Sequence, residues 1–569
     1  MCTAPNAANG KPAPSFEAPP VVVLDGGADL ANGVLGNKGY GINVMRRNGL
    51  PVPPAFCITT EVCRRHSADP EHTFDAIWDN VQHAMHWLEA ESKRTFGRGP
   101  QPLLVSVRSG AAQSMPGMLD TVLNLGIDDE VHDALAASLT PAFADDTRER
   151  FFRMYRRIVL GDKGGTVPED PHAQLRGAIK AVFSSWDSPR ALAYRRHKRL
   201  DPDQGTAVVV QAMVFGNMGT TRSGAGVVFS RNPMTGADEP FGEWLPGSQG
   251  EDVVSGSKDC EPVTALRDNQ PAVYDQLLEA ARTLERLGRD AQEIEFTIEE
   301  GKLWLLQTRR AKRSAQAAVR MSLQLRAEGL IDDAEALRRV TPAQVQTLLQ
   351  PPLQPETRLA APLLAHGLPA CPGVVSGRVY TDVDAAIRAA EDGADVVLVR
   401  PSTSPDDVQG MLAARGIVTE IGGATSHAAV ISREIGRPAI VGCGVGVAAA
   451  LEGKLVTIDG AEGEVREGIL QLRASSERDS SDLSDLAELA LQISPLRAHA
   501  EGPHPRLDSS SDSAVREALQ AGRIDVVSAN PLITMLTALR VAGRSATRSR
   551  GARTQDAAGR PSQRLSQRG

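Results

Sequence analysis

One stretch constrains the fold more than any other: a strand stops at two glycines and restarts at once as a helix. Gly416-Ile417-Val418-Thr419-Glu420 is the strand, Gly422 and Gly423 are the turn, and His427-Ala428-Ala429-Val430-Ile431 opens the helix. Strand-to-helix junctions of this kind belong to α/β domains, and the surroundings agree. Residues 356–474 alternate short strands (GRVYT, DVVLVR, GIVTE, AIVGC, LVTID) with helices (VDAAIRAAED, PDDVQGMLAA, HAAVISREIG), which predicts a compact α/β domain. Thr425 or Ser426 can cap the helix, placing His427 in its first turn. Free N–H groups and a partial positive charge at that end favour phosphate. They disfavour imidazolium, so the ring stays neutral and nucleophilic, as a phosphoryl-accepting histidine requires. The small residues Gly422, Gly423, Ala424 and Ala428 leave the ring accessible, and Arg433, two turns on, is placed to neutralise charge. A lone histidine beside a helix cap is most often structural, so this junction leaves both readings open.

At 569 residues the chain is too long for one core, at about 100–200 residues per domain. Residues 21–310 mix strands, helices and glycine turns, with a helical insertion at about 130–200. Gly36-Asn37-Lys38-Gly39-Tyr40-Gly41 precedes a helical run. Glycines let backbone amides approach phosphate, and Lys38 can pair with it, although the spacing is not that of a P-loop. Arg108 leaves a strand (VSVRSG) where a forked guanidinium can grip phosphate oxygens or form an ordinary ion pair. In Glu293-Ile294-Glu295-Phe296, alternation puts both carboxylates on one face, which suits Mg²⁺ or a solvated edge equally. The turn Glu299–Lys302 joins that strand to Leu305–Arg309 as a hairpin. Residues 1–20 read as a disordered leader, 311–355 as a helical linker ending at Pro351–Pro355, and 475–569 as a low-complexity, partly helical, Arg-rich tail. A net charge of -8 argues against nucleic-acid binding. Six scattered cysteines without a CxxC pair fit a reducing cytoplasm. No apolar run approaches the roughly 18–20 residues of a membrane span.

The longer segments carry a resemblance. GGATSHAAVISREIGRPAIVGC resembles the phosphohistidine signature shared by pyruvate, phosphate dikinases, phosphoenolpyruvate synthases and phosphotransferase-system enzyme I. LPACPGVVSGRVYT and DVVLVRPSTSPDDVQGM are similar to the swivelling domain of that family. NKGYGINVMRRNGLPVPPAFCITTEVC, LLVSVRSGAAQSMPGMLDTVLNLG, GTAVVVQAMVFGNMG, GVVFSRNPMTG, FGEWLPGSQGEDVVSG and IEFTIEEGKLWLLQTRRAKRSAQAA each look like pyruvate, phosphate dikinase. The resemblance implies an α/β and α+β multidomain chain: an ATP-grasp nucleotide-binding region at 21–310, then a phosphohistidine swivelling domain at 356–474. It implies that His427 is the phosphorylated residue. It places Lys38, Arg108, Glu295, Gln307 and Arg309 at nucleotide- or phosphate-binding positions, with Glu243 at a further acidic position near the phosphates. Mg²⁺ falls to Glu295 and Glu293, the family usually having Asp at the latter. Thr425 takes the place of a threonine that a regulatory kinase modifies in some dikinases, capping being the other reading. The segment after FFRMYRRIVLGDKGG is shorter than is usual, and the resemblance ends near residue 474. A phosphoenolpyruvate/pyruvate barrel needs about 200 residues or more, so none is expected in residues 475–569. The implied activity uses ATP and phosphate to phosphorylate His427, then passes the group to pyruvate on a separately supplied barrel subunit. A different acceptor, or a non-catalytic ATP-binding regulator, are the alternatives. Neither nucleic acid nor membrane is an expected partner.

Overall fold

The computed structural model describes residues 16–113, 115, 117–161, 164–219, 222–254, 260–350, 352–473 and 480–543. Most of the expected leader, Pro351 of the proline stretch and the Arg-rich end beyond residue 543 lie outside them. The chain is a mixed α/β, multidomain structure built on three larger sheets.

The first sheet has the order Val21–Val23, Ala55–Ile58, Thr206–Ala212, Val105–Ala111, Thr121–Leu125 and is antiparallel throughout. Its middle strand, Thr206–Ala212, is buried along its whole length, as its unbroken Ala-Val-Val-Val run requires. Four α-helices between Asp129 and Lys198 pack beside it. In Pro171–Ser184, Asp170 accepts from the N–H groups of His172 and Ala173, and Pro171 presets the first turn. Leu175, Ala178, Ile179, Val182 and Phe183 then form the buried face at helical spacing.

The second sheet is also antiparallel: Glu261–Pro262, Phe241–Pro246, Gly224–Phe229, Gln292–Glu299, Lys302–Arg310. Its terminal hairpin turns through Glu300 and Gly301, both at positive φ (49° and 83°), a backbone whose twist matches the flanking strands. That turn fixes a register with Glu293 opposite Arg309 and Glu295 opposite Gln307. The third sheet has eight strands. Val374–Tyr380, Val396–Arg400, Gly416–Thr419 and Ala439–Val441 run parallel at its heart, with antiparallel strands outside them. Ion pairs tie this unit to the rest of the molecule. Arg190 reaches Asp406 at 3.3 Å, and Glu434 accepts from Lys312 at 3.0 Å and from the Tyr194 hydroxyl.

The last segment departs from the sequence expectation. Residues 481–543 are not a tail, and 315–348 are not merely a linker. Ala315–Ala327, Asp333–Arg339 and Pro342–Leu348 pack with Ser481–Ile493, Asp512–Gln520 and the helix at 531–543 around one core. Val319, Leu325, Leu337 and Val345 meet Leu483, Leu486, Leu489, Val515, Leu532 and Leu536 there. Ser481, Asp485, Glu488 and Gln492 occupy the exposed positions of Ser481–Ile493 and mask its apolar stripe, so composition alone misreads it. Burying each of those leucines contributes roughly 1.5–3 kcal/mol. Among the described residues, no helix is long and apolar enough to cross a membrane.

Candidate active site

Lys38 lies in the helix Asn32–Arg47, which is broken at Gly36 (φ 66°, ψ 166°). A β-carbon there would stand 1.5 Å from the carbonyl oxygen of Gly110, so only glycine lets this helix close onto the strand Val105–Ala111. Arg108, from that strand, bridges the two antiparallel sheets. Its guanidinium donates to Glu295 Oε2 at 2.8 Å, to Gln307 Oε1 at 3.0 Å and to Gln211 Oε1 at 3.4 Å. Gln307 donates back to Glu295 Oε1 at 2.5 Å, and Arg309 pairs with Glu293 Oε1 at 2.5 Å. The hairpin register thus sets each carboxylate against its partner.

These groups line a cavity of about 830 Å³, inside the roughly 300–1,000 Å³ range of small-molecule sites. The Lys38 ammonium makes no hydrogen bond to a described residue. Burial, with Arg108 and Arg309 nearby, pushes its ammonium down to about 7 against the pull of Glu295. Arg309 is held above its ordinary range: its carboxylate neighbours, Glu293 first, outweigh the cost of burial. The cavity therefore offers fixed cations and one readily charged lysine to an anionic ligand.

His427 lines the same cavity. It is the first residue of the helix His427–Ile435, at the C-terminal end of the parallel strand Gly416–Thr419, where α/β sheets present their ligand sites. Ser426, not Thr425, is the N-cap, accepting from the Ala429 N–H at 3.5 Å. The imidazole is half-buried against Gly117, rather than standing free in solvent as the small neighbours suggested. Nδ1 meets the Thr403 hydroxyl at 3.1 Å, while Nε2 is buried with no protein partner. Burial pushes the ring down to about 4, Asp407 opposing, so it is neutral at pH 7 with a nitrogen unengaged.

Two predicted residues, Glu243 and Arg433, sit outside the cavity, and a third, Thr425, is engaged by one of them. Glu243 does not line the cavity. Its carboxylate accepts from the N–H groups of Ala424 (2.7 Å) and Thr425 (3.2 Å) and from the Thr425 hydroxyl, gripping the turn before His427. A β-carbon at Gly423 would lie 2.1 Å from Glu243 Oε1, so this grip needs glycine there. Thr425 is accordingly held by Glu243, although it also borders the cavity. Arg433, expected to neutralise charge, is buried and donates to the carbonyls of Ala424 (3.0 Å) and Ala370 (3.3 Å), bracing the turn from beneath. The sequence reading missed Thr403, Gln211 and Glu434. Thr403 was findable, since it precedes a Ser404/Asp407 capping box that orients its loop. Glu293 and Glu295 suit Mg²⁺: both border the cavity, and Glu293 Oε2 is a buried carboxylate oxygen without a partner.

Residues 75–275 match the family model described as the pyruvate phosphate dikinase AMP/ATP-binding domain, and residues 393–463 that of the PEP-utilising enzyme mobile domain. The chain is 38% identical over 542 residues to a pyruvate, phosphate dikinase of Clostridium symbiosum, covering 85% of this chain and 62% of the relative. It is 39% identical over 488 residues to a chloroplastic pyruvate, phosphate dikinase 1 of Oryza sativa subsp. japonica, covering 76% and 51%. A third relative, from Rhizobium meliloti (strain 1021), is 38% identical, covering 82% and 60%. The chain thus spans between 51 and 62% of the length of these relatives.

Proposed function

The chain belongs to the pyruvate, phosphate dikinase-like family through its AMP/ATP-binding and mobile domains, and from that premise we propose that it phosphorylates His427 with ATP. One observation carries the reading: a neutral imidazole with a partner-free Nε2 lines the same cavity as the cations Lys38, Arg108 and Arg309.

In this reading, residues 21–310 form an ATP-grasp region, 356–474 a phosphohistidine domain that swivels, and 311–355 part of the connection between them. The triphosphate lies along Lys38, Arg108 and Arg309, whose charges neutralise it, with the Gln307 amide as a hydrogen-bond partner. Glu295 and Glu293 would hold Mg²⁺, which would supply further neutralisation of the phosphate oxygens. Nε2 of His427 attacks the β-phosphorus, the bond to the α-phosphate oxygen breaks, and AMP leaves. Phosphate then takes the outer phosphoryl group as pyrophosphate, leaving a phosphohistidine. Thr403 orients the ring through Nδ1, and Glu243 holds the turn that presents it. The phosphoryl group passes to pyruvate, giving phosphoenolpyruvate, on a barrel supplied by a separate subunit. We place the reaction in the cytoplasm, a reducing compartment that six scattered cysteines without a CxxC pair fit.

Product analysis tests this. With ATP, Mg²⁺ and phosphate, the chain should release AMP and pyrophosphate, at most one equivalent per chain until an acceptor is added. Release of ADP, or turnover indifferent to phosphate, would refute it. Phosphoenolpyruvate formed from pyruvate only after adding cell extract would support the separate barrel; formation without extract would contradict it.

A further inference from the structure

Outside the cavity, the C-terminal unit brings two histidines and an aspartate together. Arg497–His499 pairs in parallel with Asp525–Val527, and Arg506 bridges the far side of Val527. On that side the Val527 N–H donates to the Pro505 carbonyl at 2.9 Å and its carbonyl accepts from the Leu507 N–H at 2.8 Å, while on the other the Ser528 N–H donates to the His499 carbonyl at 2.9 Å. The loop 500–504 therefore crosses over the end of this strand and returns. His499 and His504 stand at its two ends.

Their geometry is specific. His499 Nε2 meets Asp525 Oδ1 at 2.9 Å. The His504 ring lies over that of His499, with centroids 4.9 Å apart and planes 28° apart. One ligand atom from each of the three residues falls within 4.8 Å of the others. Arg497 holds the second Asp525 oxygen at 2.6 Å, which aims Oδ1 at the histidines. His504 makes no hydrogen bond to a described residue, so stacking alone does not explain why its nitrogens are brought to the carboxylate.

We propose that His499, His504 and Asp525 form a binding site for a divalent transition-metal ion of the zinc class. Imidazole nitrogens with one carboxylate oxygen suit zinc and its neighbours rather than calcium or magnesium, which prefer all-oxygen shells. The four-residue gap between the histidines falls within the spacing common in zinc sites. Zinc ligands about 2.0–2.1 Å from the ion stand roughly 3.4 Å apart in a tetrahedron, so small side-chain rotations close the site and leave a fourth position for water. Arg497 acts as the outer partner that fixes the carboxylate. The ion fastens loop 500–504 to the small sheet, in a part of the chain that supplies no residue to the nucleotide cavity.

The test uses the full chain, stripped with a chelator and kept free of ATP. Zinc is titrated by calorimetry into this protein and into His504→Ala and Asp525→Asn, with circular dichroism checking that each is folded. His504→Ala removes no hydrogen bond to a described residue and should keep its fold. The wild-type chain should bind one zinc more than either variant and gain melting temperature that the variants do not. Cobalt in place of zinc should give visible absorption in the wild type alone. Equal uptake by all three proteins, or no uptake by the wild type, would overturn the proposal.

Discussion

Lys38 and His427 are opposite halves of one electrostatic arrangement. Burial and two arginines leave Lys38 near 7, so it is largely neutral at pH 8 and largely charged at pH 6. A polyphosphate bound beside it stabilises the charged form and raises its pKa. ATP binding should therefore take up close to one proton at pH 8 and almost none at pH 6. Calorimetry in buffers of different ionisation enthalpy reads this directly, and pH-independent uptake would contradict it. Lys38→Met should weaken ATP binding by about 10- to 100-fold, the weight of a hydrogen bond to a charged group at about 1.5–3 kcal/mol. For His427 the sign reverses. Its lowered pKa keeps the nucleophilic lone pair free down to acid pH, so self-phosphorylation should stay level from pH 8 to about 5 and fall as pH approaches about 4. The helix start at His427 was legible because a cap, small residues and an apolar repeat are all local signals. The roles of Glu243 and Arg433 were not. Glu243 grips a turn 181 residues away, and the carbonyls that Arg433 braces come from two segments that only the fold brings together.

At the scale of elements, the terminal hairpin and the turn before His427 do most to shape the site. Strand alternation put Glu293 and Glu295 on one face, and the short turn Glu299–Lys302 set which residues oppose them. That Glu293 would be almost wholly buried against Arg309 depended on the other sheet and was not legible. Removing Arg309 alone strands a buried carboxylate, so Arg309→Met should destabilise the protein by about 3–5 kcal/mol, read as a fall in the denaturation midpoint. The turn behaves differently. Glu243→Gln loses the charge that gathers two N–H groups and a hydroxyl. Self-phosphorylation should slow by about 10-fold or more while ATP affinity changes little, since Glu243 is not in the cavity. A matching loss of ATP affinity would return Glu243 to the phosphates, where the sequence reading had put it.

Across the whole molecule, two units contribute to one cavity and a third stands apart. The third-sheet unit carries His427 to a site whose Lys38, Arg108, Glu293, Glu295 and Arg309 come from the first two sheets and the helix Asn32–Arg47 between them, and Glu434 helps hold it there through Tyr194 and Lys312. The helical unit was the least legible part. Its two halves are separated in sequence by the eight-stranded sheet, and each half taken alone looks too polar to fold. Removing residues 475–569 should expose Val319, Leu325 and Leu337, lower the melting temperature and promote aggregation; an unchanged melting temperature would mean that the two halves do not share a core. One phosphoryl group has to pass between these units. Incubation with ATP labelled at the β-phosphorus, followed by peptide mapping under alkaline conditions, follows it directly. Acid-labile label should appear on the peptide that contains His427 and be absent from His427→Asn. Label on any other residue, or none in a protein that still binds ATP, would contradict it.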